Sequence, residues 1–124
     1  MRRLARLIAV GAAVLVAAGC GSVGYTDASG DRAKGKELFT QKCGSCHTLA
    51  DAGSLGKVGP NLDDAFARAR ADGMTEATFR QVVRGQIAYA VTNPVTGSPG
   101  MPKDIVKGDD ARDVAAYVAS VAGK

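Results

Sequence analysis

Residues 43–47 read Cys43-Gly44-Ser45-Cys46-His47, a C-x-x-C-H pentapeptide of the kind that attaches a c-type haem. Two thiols at this spacing can add as thioethers to the two vinyl groups of one haem. The His that follows at once is then held to ligate the iron. Two plainer readings compete. C-x-x-C alone is also a thioredoxin-like redox pair or half of a zinc site. Zinc wants four ligands, and the chain has one His and three Cys in all. A thioredoxin-like pair belongs in a strand-rich βαβ pattern, which the periodicity of this chain does not give.

Outward from the pentapeptide, the chain divides into three. Residues 1–19 read as a signal peptide: Arg2, Arg3 and Arg6 form a basic start, and Leu7 to Ala18 is an apolar run. Twelve apolar residues fall short of the roughly 20 needed to span a bilayer, and small residues follow at a cleavage point. Ala17-Ala18-Gly19-Cys20 is similar to a bacterial lipobox, with Ala17 where Leu is usual. The resemblance implies lipidation of Cys20. Ordinary cleavage near Ala18 and an uncleaved anchor are the alternatives. The cysteine count favours lipidation, because haem takes two thiols and leaves the third to be explained.

Residues 20–30 are small, polar and Gly/Ser-rich, and read as a flexible tether. The remaining 31–124 form one domain. Loss of the signal also corrects the charge. The full chain carries +4, but without Arg2, Arg3 and Arg6 there are 13 Lys and Arg against 12 Asp and Glu. A net charge near +1, with the signs interspersed, gives no basis for nucleic-acid binding or a polybasic membrane patch.

The 3.6-residue pattern predicts four amphipathic helices and no strands, an all-α domain. The first covers 31–42, with Gly35, Leu38 and Phe39 on one face. The second covers 62–70, with Leu62, Ala65, Phe66 and Ala69 in register. The third starts from a Thr75 cap, groups Phe79, Val82 and Val83, and ends near 86–89. The fourth covers 109–121, with Val114, Tyr117, Val118 and Val121 as its stripe. Gly/Pro-rich loops fill 51–61 and 92–103.

Several motifs stand in order: Lys34 to His47, then Gly59-Pro60-Asn61-Leu62, then Gly100-Met101-Pro102, then a last helix with Ala116-Tyr117. In this order they resemble class I cytochrome c, the small bacterial monohaem type, over essentially all of 31–124. The resemblance implies the cytochrome c fold, three to five helices with long loops wrapped around one covalent haem c. It implies thioether links to Cys43 and Cys46, His47 as an iron ligand, and the Pro60 carbonyl as acceptor for the other His47 ring N–H. It also places Gly35 and Tyr117 where the terminal helices cross.

A reversible one-electron site needs a sixth ligand, and a soft Met thioether favours Fe(II). Met101, in a loop stiffened by two prolines, is the expected ligand, with Met74 as its rival. The chain has no Trp, so the partners of the haem propionates stay open among Lys57, Arg68, Arg70, Arg84, Gln86 and Tyr89.

The function implied is electron transport without catalysis and without a small-molecule substrate. Electrons would pass between membrane redox proteins, from donor to acceptor, at the outer face of the cytoplasmic membrane or in the periplasm. Two alternatives stand beside it: a haem subunit held in an oxidase or dehydrogenase complex, and a haem enzyme or sensor with an open sixth position.

Overall fold

The computed structural model describes residues 30–124. The expected signal peptide, Cys20 and all of the tether except Gly30 lie outside the described residues.

Four helices carry the domain: α1 (Arg32–Lys42), α2 (Leu62–Ala71), α3 (Glu76–Ala88) and α4 (Gly108–Val121). Three of them start on a side-chain cap, which satisfies backbone N–H groups that have no partner within the helix. The Asp31 carboxylate accepts from the N–H of Ala33 and Lys34. Asn61 accepts from Asp63, and Thr75 accepts from Thr78 as expected. α2 also carries Asp63 and Asp64 in its first turn and Arg68 and Arg70 toward its end, the order the helix dipole favours.

α4 is the centre of the packing. Every residue from Asp113 to Ser120 is buried. Its inner stripe, Val114, Tyr117 and Val118, is the expected one, and α1 and α3 both pack against it. Its alanines let neighbours come close, and Gly35 of α1 comes closest. A Cβ built on Gly35 would lie 2.1 Å from the Asp113 carbonyl oxygen and 2.8 Å from Tyr117 Cβ. That contact answers the roughly 1 kcal/mol that Gly costs within a helix relative to Ala. Beside it, Phe39 meets Tyr117 edge-on with ring centroids 5.9 Å apart. The buried Asp113 carboxylate accepts from the Asp31 N–H at 2.9 Å and pairs with Lys34 at 3.3 Å, so the starts of α1 and α4 are tied together.

At the far end of α4, Arg70 donates to the carbonyls of Ala122 and Ala119 at 2.8 and 2.7 Å. Its guanidinium also lies 4.6 Å from the centre of the Phe79 ring. Phe79 packs edge-on against Phe66 at 5.0 Å. Arg70 therefore closes the C-terminus of α4.

Two expectations need correction. Two-residue strands β1 (Thr48–Leu49) and β2 (Ser54–Leu55) pair antiparallel around a 3₁₀ turn at 50–52. Strands this short leave no alternation to read. Val82 is exposed, and Ile87 takes the buried place on α3 instead, one turn past Val83. On α2, Leu62, Ala65 and Phe66 of the expected stripe line a cavity, and Leu62 and Phe66 also pack against the core.

Candidate haem site

α1 runs straight into the pentapeptide. After Lys42 the backbone makes one more helical turn: the Cys46 N–H donates to the Cys43 carbonyl at 3.0 Å and the His47 N–H to the same carbonyl at 2.9 Å. Cys43, Cys46 and His47 thus stand at i, i+3 and i+4, on one side of a turn. The spacing of the motif is a statement about this surface.

All three line a cavity of about 770 Å³, inside the range of ~300–1,000 Å³ typical of cofactor sites. Its walls are mostly apolar, among them Leu62 and Phe66 of α2 and Val83 and Ile87 of α3. Met101 lines it too. Met74 does not, and stands exposed at the turn before α3.

The His47 ring is fixed from the far side of the β1–β2 hairpin. Its Nδ1 donates to the Pro60 carbonyl at 2.8 Å. A carbonyl can only accept, so Nδ1 carries the proton and the Nε2 lone pair is free for a metal. Gly59 donates its N–H to the Cys46 carbonyl at 2.8 Å. A Cβ on Gly59 would sit 2.5 Å from the His47 Cε1 and 2.9 Å from its Nε2, so bare backbone lies on the face of the ring. Gly56 does the same for the attachment turn, where a Cβ would be 2.5 Å from the Cys46 carbonyl carbon. Ser54 Oγ donates to the His47 carbonyl at 2.9 Å. Sequence reasoning found Pro60 but missed Ser54, Gly56 and the contact of Gly59 with the ring. A run of glycines in a loop does not show what it will touch.

The competing chemistries fit poorly. Burial, and to a smaller extent Cys46, pushes the Cys43 thiol up to about 11, whereas a redox-active pair needs a depressed thiol pKa. Among the described residues, no group of three or more His, Cys, Asp and Glu side chains could hold a metal ion, which removes the zinc reading. Two thiols and a correctly protonated imidazole on one turn, an apolar chamber and a thioether at its wall do fit a covalently held haem.

Of the propionate candidates, Gln86 lines the cavity. Arg70 is occupied at the end of α4, Arg68 pairs with Asp72 at 2.9 Å, and Tyr89 is exposed.

A second network supports the segment after His47. Asp51, in the 3₁₀ turn, accepts from the Tyr117 hydroxyl at 2.7 Å and pairs with Lys36 at 3.0 Å. The Tyr117 hydrogen bond and then Lys36 hold the Asp51 carboxyl below its usual range. Burial and then the Asp51 hydrogen bond hold the Tyr117 hydroxyl well above its own.

The sequence matches known proteins over most of the described residues. The family model described as Cytochrome c matches residues 32–122. A cytochrome c of Theileria annulata is 30% identical over 106 residues, covering 77% of this chain and 90% of that protein. A cytochrome c of Ulva intestinalis is 51% identical over 39 residues, 32% of this chain and 34% of its own length; the match thus spans about a third of that algal protein. Among solved structures, the c-type cytochrome SorU from Sinorhizobium meliloti is 32% identical, with 74% of this chain and 91% of that chain covered at a TM-score of 0.48.

Proposed function

The chain belongs to the cytochrome c family, and from that premise we propose that it is an exported, lipid-tethered carrier that moves single electrons between membrane redox proteins. Membership of the family makes it an electron-transfer protein with one covalent haem c. When bound, the haem supplies reversible Fe(III)/Fe(II) exchange. The residues would divide the remaining work. Cys43 and Cys46 hold the group by thioethers, His47 Nε2 ligates the iron, and the Pro60 carbonyl orients the imidazole. The Met101 thioether would take the sixth position and favour Fe(II).

The observation that carries this reading is the meeting of Cys43, Cys46, His47 and Met101 at one apolar cavity. A thioether at that wall argues for a carrier and against an enzyme or sensor with an open sixth position. The test is a reduced-minus-oxidised spectrum of the holoprotein together with the weak near-infrared band of Met–Fe(III) ligation. Met101→Ala should abolish that band and lower the midpoint potential, while Met74→Ala should do neither. The reverse pattern would move the assignment to Met74.

The tether reading rests on residues 17–30 of the sequence. The 11 residues from Cys20 to Asp31 reach at most roughly 35–40 Å when extended and about 15–20 Å as a Gly/Ser coil. A haem domain on so short a leash stays close to partners in the same membrane, which raises its effective concentration there. Two or three acyl chains suffice for stable anchoring where one does not. Mass spectrometry of the native N-terminus should find diacylglyceryl or triacyl Cys20, and Cys20→Ser should remove it. An unmodified mature N-terminus would make the protein a freely diffusing carrier.

A further inference from the structure

The segment that carries Met101 has no helix or strand of its own. It leaves α3 at Tyr89 and runs to Asp104. Its two ends are nevertheless joined, as in an Ω-loop. The Asp104 N–H donates to the Ile87 carbonyl at 3.1 Å, and the Met101 N–H donates to the Val91 carbonyl at 3.0 Å. Just inside the second bond lies the closest backbone approach that any glycine among the described residues makes. A Cβ on Gly100 would lie 1.8 Å from the Thr92 carbonyl oxygen, 2.3 Å from its carbon and 2.6 Å from its Cα. All three are backbone atoms, so no side-chain rotation relieves the overlap.

We propose that Gly100 is the positioning residue for the sixth ligand: its bare Cα lets the chain lie directly on Thr92, and this clasp holds the Met101 thioether at the cavity. The inference rests on Met101 being that ligand. A methyl group at position 100 has to go from 1.8 Å to an ordinary contact of 3.4 Å or more, so the two backbones must part by about 1.6 Å. The Met101–Val91 hydrogen bond, already 3.0 Å long, does not survive such a shift. Methionine has three rotatable side-chain bonds and adapts to irregular space. Its thioether can therefore still find the iron after the clasp opens, but it does so for a smaller fraction of the time. The clasp supplies persistence of the bond, and Pro99 and Pro102 on either side of Gly100-Met101 limit how far the pair can swing.

The test uses exogenous imidazole as a competitor for the sixth position of the ferric holoprotein. Its apparent affinity is proportional to the fraction of molecules in which the thioether is off the iron. Gly100→Ala should weaken the near-infrared band and tighten imidazole binding by at least about tenfold. Gly123→Ala is the control. It has φ +72° and a would-be Cβ 2.7 Å from the Ala67 nitrogen and the Phe66 carbonyl carbon, so it brings a milder backbone clash, against α2 and not against the Met101 loop. It should lower stability yet leave the band and the imidazole affinity unchanged.

If Gly100→Ala leaves both readouts as in the wild type, or if Gly123→Ala shifts imidazole affinity equally, the clasp is refuted. Amide hydrogen exchange on the wild-type holoprotein decides the case should Gly100→Ala fail to mature. The Met101 amide should exchange at least about tenfold more slowly than those of Thr96 and Ser98 in the same loop; equal rates overturn the proposal. Met101→Ala separates the two layers. A band that persists in that variant removes the ligand assignment itself. A band lost there but untouched in Gly100→Ala removes only the clasp.

Discussion

The two segments that bring ligands to the cavity are built in opposite ways. Residues 43–60 are tied down repeatedly. The attachment turn extends α1, the β1–β2 hairpin folds back over it, and Ser54, Gly56, Gly59 and Pro60 each touch Cys46 or His47 directly. Residues 90–103 have one backbone bond across their ends (Met101 to Val91) with another, Asp104 to Ile87, just outside them, a turn in which the Gly97 N–H donates to the Pro94 carbonyl, and the contact of Gly100 with Thr92. The first segment holds His47 through many contacts within a short stretch of chain, and the second holds Met101 through few. Under the proposed function this asymmetry would make the covalent side of the haem site rigid and leave the sixth ligand under the control of a single loop.

The largest effect should come from removing the permanent side. Replacing both Cys43 and Cys46 with Ala takes away the covalent links, and acid–acetone extraction should then carry all haem into the supernatant. The wild-type pellet should keep its colour. Far-UV circular dichroism of the double variant should show a largely unfolded chain, because the apolar walls of the cavity are closed over the haem and lose that partner.

Gly59→Ala tests how tightly the His47 side is packed. A methyl group 2.5 Å from the imidazole must push the ring off the Pro60 carbonyl or move the loop. Overpacking of this kind costs about 1–3 kcal/mol, readable by denaturant titration. The band of Met ligation should remain in whatever holoprotein forms. Loss of the band without loss of stability would show that the two sides are coupled more directly than the contacts indicate.

Arg70→Met probes the frame away from either ligand. It leaves the carbonyls of Ala119 and Ala122 without their charged donor, at about 1–3 kcal/mol, and should leave the midpoint potential unchanged. A shifted potential would give Arg70 a role at the haem that the geometry does not supply.

The smallest expected effect is that of Tyr117→Phe, about 1 kcal/mol near neutral pH. Its pH dependence is the sharper reading. Asp51 titrates below its usual range in the fold, so its contribution is present above about pH 4 and fades as pH falls through its depressed folded value. Tyr117 titrates above its usual range, so its contribution is present below about pH 10 and fades as pH rises toward its folded value. The stability difference between wild type and variant should be flat between these limits and narrow at both ends. A difference that does not change with pH would mean that the hydroxyl acts by packing alone.

Much of this architecture was readable from residues near one another in the chain. The cap at Thr75, the stripe of α4 and the i, i+3, i+4 grouping of Cys43, Cys46 and His47 are local facts, set by backbone geometry that needs no distant partner. A glycine inside a helix signals a close packing contact at Gly35, and the family resemblance supplied its partner, the helix carrying Tyr117. The hairpin around 50–52, the burial of Ile87 in place of Val82 and the capture of Arg70 by the end of α4 were not readable. Each depends on which surface happens to lie opposite.

By itself the sequence pointed to the cofactor, to Cys43, Cys46 and His47 as the residues to hold it, and to a four-helix count; the role of the Pro60 carbonyl came from the family resemblance, and its bond to the His47 ring from the fold. The cofactor, the residues that hold it and the helix count follow from covalent chemistry and from periodicity, which act over a few residues. Only the tertiary structure decided that Met101 and not Met74 lines the cavity, that α2 turns its apolar face to that cavity, and that Gly100 rests on Thr92. Side chains and loops of this kind are indifferent to their neighbours in sequence. Their positions are settled where excluded volume and hydrogen-bond satisfaction between distant segments leave one arrangement.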